Sequence, residues 1–504
     1  MNDRCTHDDV LTASLEAQLA PMRNSFLAAQ PVSIEIRRDR LRRAIAMTLA
    51  HADRIVAASQ ADFPNRAPEL ARLTEVFMPL QALRTAERCV ARWMKPQRRR
   101  APAPFSLFGA RAQVQYQPLG VIGVISPWNG PITLLLLPLA TILAAGNRAF
   151  LRPSDQTPHC AAAIDAAVRE YFDPDEVAVA TGGTDVSVAF SRLPFDHLLF
   201  TGSTAVGRVV AESAARNLTP VTLELGGKCP VFVMPDADAR EAGRRLAFGK
   251  LINAGQGCLC PDTVYAPPAL AEELLNAMDA EVRRHAPGGL ATLDVCGVFG
   301  ARQFERLQQI VADARTRGVK VRALGIDVGV PNTLPEQHKM ALLVIIDPPM
   351  DARASREELF GPLMVLRTCN DVDDALRIQR TQEKPLGLYV FSRSEVKVRH
   401  VLDRSFSGGV TINDTIMHLS VADLPFGGVG HSGTGAYGFG IEGFRRFSHA
   451  RAVYRQGGPF SLMRAMHPPF GRLYGFAVLR ALQRLERKYA SVKPRHIERV
   501  DSDY

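Results

Sequence analysis

The sequence of 504 residues lacks the features that mark secreted and membrane-spanning proteins. Residues 1–20 are acidic and polar, without the basic and then apolar stretches of a signal sequence. The longest apolar run, residues 132–145, is too short to span a bilayer and contains Pro138, so it predicts a buried helix. The eight cysteines form no regular disulfide framework, and there is no internal repeat or long low-complexity tract. These absences predict a globular protein of the reducing cytoplasm.

The composition is that of an ordinary globular protein, with 46% hydrophobic and 22% charged residues. The formal net charge of +10 is concentrated in two segments. Residues 92–100 carry five basic side chains, and residues 456–504 carry nine basic and four acidic ones. Because neither segment contains the motifs described below, the positive balance gives no reason to expect nucleic-acid binding.

Strands of the buried type alternate with helices over most of the chain. Apolar runs at residues 116–126, 148–152, 176–180 and 197–201 predict strands, and a second set follows at 230–234, 263–266 and 340–346. Residues 11–92 and 239–254 predict helices, and residues 324–337 predict a surface loop. This alternation predicts an α/β fold built on doubly wound parallel sheets.

Glycine motifs point to a nucleotide site only in part. Three Gly-x-Gly-x-x-Gly motifs, at residues 428–433, 433–438 and 438–443, neither follow a buried strand nor open a helix, so we interpret them as turn glycines. Residues 202–207 do lie between a predicted strand and a helix. Small residues there could let a phosphate approach the helix N-terminus, or could allow close packing of the helix on the sheet, and the pattern leaves both open.

Cys258 and Cys260 form a Cys-x-Cys pair after a predicted helix. A zinc site would need a second pair or a histidine at ligand spacing, and none follows in this segment. Cys258, in a glycine-rich turn, fits either a nucleophile with a base and an oxyanion site nearby or a small buried side chain. Cys260 could form a reversible disulfide with Cys258 under oxidation, although we favour a buried spectator thiol.

Other sequence motifs favour the interpretation of Cys258 as a nucleophile. Glu224-Leu-Gly-Gly-Lys228 lies 34 positions before Cys258, Pro127-Trp-Asn129 closes the first strand, and Glu357-Glu-Leu-Phe-Gly-Pro362 follows downstream. Together these boxes resemble the aldehyde dehydrogenase superfamily, and the resemblance runs from the first helices to about residue 455.

The C-terminal boxes narrow this resemblance to one branch. Asn413-Asp-Thr-Ile-Met-His418 and Leu424-Pro-Phe-Gly-Gly-Val-Gly430 resemble the class 3 branch, and Tyr116-Gln-Pro-Leu-Gly resembles its bacterial coniferyl aldehyde dehydrogenases. The sequence departs from the family's usual residues at two places. Gly257 stands where threonine is common, and residues 437–440 stand where the family has Tyr-His-Gly. These departures concern the shape of the loops and the substrate preference more than the chemistry.

The resemblance implies two doubly wound parallel-sheet domains and a small β oligomerisation arm. Residues 1–97 and 119–228 would form the dinucleotide-binding domain, and residues 229–408 the catalytic domain. Residues 98–118 and 409–455 would form oligomerisation and bridging segments, followed by a basic tail, residues 456–504. A homodimer is also implied, joined through a strand near residues 409–413 and a later segment such as residues 451–455.

The resemblance further implies oxidation of an aldehyde to a carboxylic acid. Cys258 matches the nucleophile, which forms a thiohemiacetal and then a thioester. Asn129 and the backbone N–H of Cys258 match the oxyanion donors, and Glu224 matches the general base. A coniferyl-type aromatic aldehyde is the implied substrate. Medium- or long-chain aliphatic aldehydes, or transfer of the thioester to coenzyme A, are the alternatives; an inactive relative would have lost one of these three residues.

A nicotinamide coenzyme, NAD, is implied as well. Glu358 matches the residue that holds the nicotinamide ribose, and Phe360 the ring that packs beside it. Gly202, Ser203 and Gly207 match the family's nucleotide turn.

Arg152 and Asp155 replace the lysine and glutamate that the family usually has near the adenosine ribose. Arginine suits a 2′-phosphate and the shorter aspartate repels it less, so we expect NADP to be accepted alongside NAD.

The basic tail contains an apolar stripe at every third position, formed by Leu473, Phe476, Leu479, Leu482 and Leu485. Some class 3 relatives use C-terminal tails to reach membranes, but this stripe is too short to span one. We favour docking of the tail on its own dimer over peripheral contact with a membrane surface.

Overall fold

The structure, a computed structural model, describes residues 7–63, 65–101, 105–327, 329–434, 440–457 and 472–492, with side chains from residue 10 in the first range and from residue 479 in the last. The chain divides into two compact units, Met1–Met94 with Gln117–His449, and Lys95–Tyr116 with Ala450–Tyr504. The departure at residues 437–439, most of the second glycine motif, the first two residues of the third, and the side chains of Leu473 and Phe476 lie outside the description.

Helices fill the start of the first unit and connect strands elsewhere. In chain order they are α1 (His7–Ala28), α2 (Ile34–Ala50), α3 (Ala52–Asp62), α4 (Pro68–Ala71), α5 (Met78–Trp93), α6 (Thr133–Ala145), α7 (Pro158–Tyr171), α8 (Thr184–Ser191), α9 (Thr204–Ala215), α10 (Ala239–Leu251), α11 (Pro268–His285), α12 (Gly300–Thr316), α13 (Arg353–Arg356), α14 (Val372–Arg380), α15 (Glu395–Arg404), α16 (Gly440–Arg446) and α17 (Arg472–Tyr489). Helix α6 is almost entirely buried, which confirms the prediction for the longest apolar run.

The strands, also in chain order, are β1 (Gln97–Arg99), β2 (Arg111–Pro118), β3 (Val121–Ile125), β4 (Arg148–Arg152), β5 (Val177–Val179), β6 (His197–Thr201), β7 (Val221–Glu224), β8 (Pro230–Val233), β9 (Thr263–Ala266), β10 (Val321–Leu324), β11 (Thr333–Leu334), β12 (Lys339–Met340), β13 (Leu342–Ile346), β14 (Leu363–Thr368), β15 (Gly387–Phe391), β16 (Gly409–Ile412), β17 (Gly433–Thr434) and β18 (Ser448–Arg455). Strands β4, β6, β9 and β13 confirm sequence predictions to within two residues. The predicted loop at residues 324–337 also holds the short strand β11.

Two mainly parallel sheets form the core of the first unit. The first has the order β17-β7-β6-β3-β4-β5 and the second β10-β13-β14-β9-β8-β15-β16, with β17 and β10 as antiparallel edge strands. In the first sheet the chain runs outward from β3 to β5 and then returns to β6 on the other side of β3. The loops after β3 and β6 therefore diverge and leave a crevice at the carboxyl edge of the sheet.

The second unit contains a three-stranded sheet of order β1-β2-β18 and helix α17. Arg451 on β18 donates to Oε1 of Gln115 on β2 at 2.6 Å. Leu479, Leu482 and Leu485 of α17 are each half exposed or more. In the part of the chain that is described, no helix is both long enough and apolar enough to cross a membrane.

Two of the predicted elements need correction. The strand predicted at residues 116–126 is two strands in different sheets, because the N–H groups of Leu119 and Gly120 both donate to Oδ1 of Asn147, at 2.7 and 3.0 Å. Gly120 also has a φ of 146°, so the backbone turns instead of continuing the ladder. The helix predicted at residues 239–254 ends at Leu251, where a strained turn begins. The predicted domain boundaries stay predictions.

A buried ion pair fixes the start of α6. Nη1 of Arg66 lies 3.0 Å from Oε1 of Glu75, and the two side chains are 1% and 0% exposed. Oε2 of Glu75 accepts the N–H groups of Ile132 and Thr133 at 3.1 and 2.9 Å. Glu75 therefore neutralises a buried guanidinium and caps a helix end, where N–H groups lack helical partners and the helix dipole favours negative charge.

Glu75→Gln should lower the free energy of unfolding by about 2–4 kcal/mol, because it leaves Arg66 buried without an opposite charge. Urea unfolding of the full chain measures this loss. Glu87→Gln is the matched control, since it breaks the surface pair with Arg42 (3.0 Å) and should cost less than about 1 kcal/mol. Equal losses for the two variants would contradict the role assigned to Glu75.

Candidate active site

A cavity of about 280 Å³ lies where loops from both parallel sheets meet. It is lined by Pro127, Trp128, Asn129, Leu134, Thr201, Gly202, Ser203, Glu224, Leu225, Gly226, Cys258, Gln303, Arg306, Glu358 and Phe360. The cavity therefore brings together all three predicted catalytic side chains and four of the predicted coenzyme residues, Gly202, Ser203, Glu358 and Phe360. Arg152, Asp155 and Gly207 do not line it.

Cys258 lies in a turn with unusual backbone geometry. After α10 ends, Asn253 and Ala254 adopt φ values of 50° and 53°, and Gly255 follows at 70°. Left-handed backbone is uncommon for residues other than glycine and costs about 1–3 kcal/mol for each such residue. At Gly255 a side chain is also excluded by space, because a Cβ there would lie 2.4 Å from the carbonyl oxygen of Gly361. This turn directs Cys258 into the cavity and leaves it partly exposed.

Two buried side chains, one within the turn and one from β15, hold this turn. Nε2 of Gln256 donates to the carbonyls of Asn253 and Gly297 at 2.9 and 3.0 Å, and its Oε1 accepts the N–H of Phe299 at 2.8 Å. From β15, the Tyr389 hydroxyl donates to the carbonyl of Leu259. Sequence reasoning missed Gln256 and Tyr389 as supports, because a glutamine beside the nucleophile or a tyrosine in a buried strand carries no local signal of its partner.

Asn129 faces the same turn from the end of β3. Its Nδ2 donates to the carbonyl of Gln256 at 3.1 Å, and its own carbonyl accepts from Nδ2 of Asn253 at 3.2 Å. A primary amide has two N–H donors, and this bond occupies one of them. The second is available to a negatively charged oxygen in the cavity, so the position of Asn129 fits an oxyanion donor.

Burial decides the charge state of the two reactive groups. Glu224 ends β7 with 3% exposure, and neither of its carboxylate oxygens has a hydrogen-bond partner among the described residues. Burial raises the pKa of Glu224 well above its usual value. Burial also raises the pKa of the Cys258 thiol, and the nearby carboxylates of Glu224 and Glu358 add to that effect. Burial therefore favours the neutral forms of the Cys258 thiol and the Glu224 carboxyl group.

Glu358 is the second carboxyl group of the cavity. One of its oxygens accepts the N–H of Gly227 at 3.0 Å. Arg306 holds the adjoining backbone, because Nη1 donates to the carbonyl of Glu358 at 3.1 Å and Nη2 to that of Leu359 at 2.7 Å. Burial raises the pKa of Glu358 to about 7. Phe360, two residues on, has a φ of 41°, which turns its ring toward Trp128.

In the turn at residues 202–207, both glycines allow close packing that a side chain would prevent. A Cβ at Gly202 would lie 2.5 Å from the Phe200 ring, and one at Gly207 would lie 2.6 Å from Leu225. Ser203 caps α9, because its Oγ accepts the N–H of Val206 at 3.4 Å. Close packing therefore accounts for Gly207, which is outside the cavity, while Gly202 and Ser203 also line the cavity at the N-terminus of a helix.

Arg152 is committed to backbone contacts. It is 0% exposed, and its Nη1 and Nη2 donate to the carbonyls of Pro153, Ala180, Gly182 and Gly183 at 2.7–3.3 Å. Its Nε donates to Ser187 at 3.0 Å, so all five N–H donors are occupied. The expectation that Arg152 offers its guanidinium to a 2′-phosphate is therefore wrong in this structure. Asp155 is exposed and accepts the Thr184 hydroxyl at 2.6 Å.

The Cys-x-Cys pair is reduced. Cys258 and Cys260 are both free thiols, and Cys260 is buried. Burial raises the pKa of Cys260 to about 11. A Cβ at Gly257 would lie 3.0 Å from Sγ of Cys260, so a larger residue at this position would require the thiol to shift. Among the described residues, no group of histidine, cysteine or acidic side chains is arranged to hold a metal ion.

Comparison with known proteins supports the same chemistry. Residues 4–453 match the model of the aldehyde dehydrogenase family. A protein of Caulobacter vibrioides named "Probable coniferyl aldehyde dehydrogenase" is 41% identical over 92% of this chain and 95% of its own. The coniferyl aldehyde dehydrogenase of a Pseudomonas species is 41% identical over 91% and 94%. Substrate-bound AldH of Staphylococcus aureus has a TM-score of 0.85 and 29% identity, covering 92% of this chain and 99% of its own.

Without coenzyme, Cys258 should react slowly with iodoacetamide near pH 7 and increasingly fast up to about pH 9, because the thiolate is the reactive form and burial raises the thiol pKa. Mass spectrometry of the peptide that contains Cys258 measures the rate, and Cys258→Ser identifies the signal. Fast alkylation that does not change with pH between about 6 and 9 would contradict a neutral resting thiol.

Proposed function

Since the chain belongs to the aldehyde dehydrogenase family, it is an enzyme that oxidises aldehydes, and we propose that its substrates are aromatic aldehydes of the coniferyl type. The observation that carries this proposal is the aromatic side chain of Trp128, which lines the cavity together with Cys258. The two relatives named for coniferyl aldehyde support it.

Trp128 is held in place by other rings. Phe299 stacks on it with centroids 4.5 Å apart and an interplanar angle of 12°, and Phe360 meets it edge to face at 5.6 Å and 84°. Because neighbouring rings already immobilise Trp128, its side chain loses little conformational freedom when a ligand binds. An aromatic pair adds about 0.5–1.5 kcal/mol to the binding free energy beyond the contribution of the buried area. Such a surface favours a flat aromatic substrate.

Aliphatic aldehydes are a second candidate for one structural reason. Leu134 lines the active-site cavity, and Leu137 and Thr141, on the same face of α6, line another cavity of about 390 Å³. Its remaining lining residues are largely apolar, and Phe77 and Leu419 are among them. A medium or long alkyl chain could follow this face of the helix.

We assign the reaction steps to residues of this cavity. The Cys258 thiolate attacks the aldehyde carbon and forms a thiohemiacetal, and Asn129 and the backbone N–H of Cys258 stabilise the oxyanion. Bound nicotinamide coenzyme supplies the hydride acceptor. Glu224 takes a proton from the water that attacks the resulting thioester, and the carboxylic acid leaves.

The donor set of the cavity fits this coenzyme. Thr201 presents a buried hydroxyl that has no hydrogen-bond partner among the described residues, and Glu358 presents a carboxyl group suited to ribose hydroxyls. Gly202 and Ser203 offer the N-terminus of α9 to a phosphate. We propose NAD as the preferred coenzyme and NADP as a weaker one, because Arg152 has no free donor and Asp155 would repel a 2′-phosphate.

Hydrolysis is favoured over transfer to coenzyme A because the cavity contains Glu224. Water needs a base before it attacks a thioester, whereas a thiol acceptor has its own acidic proton. Retention of Cys258, Glu224 and Asn129 in one cavity likewise argues against an inactive relative.

A homodimer and a cytoplasmic location remain our proposals. Strand β16 lies at an edge of the second sheet and β18 at an edge of the sheet in the second unit, and edge strands offer unpaired backbone groups to a partner. The cysteines of the described residues are free thiols, which suits a reducing compartment.

With NAD present, kcat/KM for coniferyl aldehyde should exceed that for octanal by about tenfold or more, since stacking on Trp128 favours the aromatic ring. Coenzyme A should not change the product, which is the free acid. A preference for octanal would contradict the substrate proposal, and formation of acyl-coenzyme A would contradict the assigned reaction.

Trp128→Leu serves as the internal control for that comparison. It should lower kcat/KM for coniferyl aldehyde by about 3–10-fold, which corresponds to one lost aromatic pair, and change the value for acetaldehyde much less. Equal losses for the two aldehydes would mean that Trp128 supports the loop and does not contact the substrate.

The full-length protein should bind NAD at least about tenfold more tightly than NADP in titration calorimetry, because a 2′-phosphate meets Asp155 and no free guanidinium. Asp155→Ser should narrow this ratio, whereas Asp165→Ser, which removes a surface partner of Arg169 on α7, should leave it unchanged. Equal affinity of the unmodified enzyme for both coenzymes would contradict the proposal.

A further inference from the structure

Arg446, at the end of α16, is a cation that the mechanism above does not use. Its Nε donates to the hydroxyl of Thr222 at 2.7 Å, and its Nη2 donates to the carbonyl of Val221 at 2.9 Å. Thr222 lies two residues before Glu224 on β7, so the two side chains project from the same face of the sheet. Arg446 is therefore bound to the strand that ends in Glu224, on the Glu224 side of the sheet.

The hydrogen bonds of Arg446 compensate its charge poorly. The guanidinium is half-buried, and both of these acceptors are neutral. The preceding residue, Arg445, instead pairs with the carboxylate of Glu442 at 2.5 Å. Burial lowers the pKa of Arg446, and the charge of Glu224 opposes that effect. A neutral donor would satisfy Thr222 and Val221 without the loss of hydration that a charged group suffers, so the charge itself calls for a reason.

Arg446 is the cation that acts on Glu224 from its position beside β7. Burial raises the pKa of Glu224, and the charge of Arg446 lowers it. His197, on the neighbouring strand β6, contacts the hydroxyl of Thr222 at 2.8 Å. Burial and the charge of Arg446 lower the pKa of His197 to about 3, so this histidine is neutral and contributes no charge.

The groups on the cavity side do not replace this cation. Glu224 faces the Cys258 thiol and the Glu358 carboxyl, which add negative charge when they ionise. The guanidinium of Arg306 also lines the cavity, but its terminal nitrogens are bound to the carbonyls of Glu358 and Leu359. Ionisation of Glu224 is thus opposed by the cavity and favoured by Arg446.

We propose that Arg446 is a positioning residue that acts through Glu224: its charge, bound to β7 two residues away, keeps the Glu224 carboxyl able to ionise at the working pH of the enzyme. The inference rests on the proposed role of Glu224 as the base in thioester hydrolysis. In that step one proton of water passes to Glu224 while the water oxygen bonds to the acyl carbon. The carbon–sulfur bond then breaks, the Cys258 sulfur regains a proton, and the carboxylic acid leaves.

Hydrolysis of 4-nitrophenyl acetate by the full chain without coenzyme tests this proposal. The initial burst of nitrophenolate reports acylation of Cys258, and the steady-state rate reports hydrolysis of the thioester. In Arg446→Gln the rising limb of the steady-state pH profile should move up by about one pH unit, because a nearby opposite charge lowers a carboxyl pKa by about that amount or more. A purely structural role would lower the rate at every pH and leave the limb in place.

Two variants serve as controls. Arg446→Lys keeps the charge and should keep the limb at the position of the unmodified enzyme. Arg445→Gln removes the neighbouring arginine, which is paired with Glu442, and should also leave the limb unchanged. If Arg446→Gln fails to fold, Arg446→Met, which keeps the apolar stem of the side chain, takes its place.

The outcomes separate this inference from the proposed function. Glu224→Gln should abolish the limb; an unmoved limb in Arg446→Gln would then overturn the inference and leave the role of Glu224 intact. An equal shift in Arg446→Lys would also overturn it, since charge would not be the cause. If Glu224→Gln itself retains the limb, the proposed role of Glu224 is wrong.

Discussion

Removal of a thiol and two carboxyl groups from water into one cavity is the constraint on which the rest of the site depends. Burial raises the pKa of Cys258 and Glu224, and the charges of the Glu224 and Glu358 carboxylates further oppose ionisation of the thiol. Burial therefore favours the neutral form of each of these groups. We propose that hydrogen-bond donors and cations near these groups, above all Asn129 and Arg446, stabilise the negative charge that develops during the reaction.

Rigid support is the structural counterpart of this constraint, because a buried charge is stabilised only by groups that are already in place. Gln256 ties the strained turn before Cys258 to the backbone at Gly297 and Phe299. On the other side of the cavity, Glu75 fixes the start of α6, four residues beyond Asn129. The proposed nucleophile and its proposed oxyanion donor are thus held by separate buried networks, and the Nδ2 of Asn129 joins the two.

Sequence boxes predicted the centre of the site and missed its periphery for a physical reason. Cys258, Glu224 and Asn129 were found through motifs that resemble a known family. Of the three, only Asn129 follows an apolar run that predicts a strand, so the local pattern alone would not have brought them together. Arg152 was misjudged, because carbonyls of residues 180–183 take up its donors and no local pattern encodes that contact. Glu75 and Arg446 act across 57 and 224 positions of sequence and carry no motif.

The central claim is that Cys258 carries the acyl group and Glu224 releases it by activating water. Mass spectrometry of Glu224→Gln mixed with coniferyl aldehyde and NAD tests this most directly. The account predicts that an acyl group, equal to the aldehyde less one hydrogen, accumulates on the Cys258 peptide of the variant and only transiently in the unmodified enzyme. An adduct on another cysteine, or no adduct while acid is still formed at the normal rate, would contradict it.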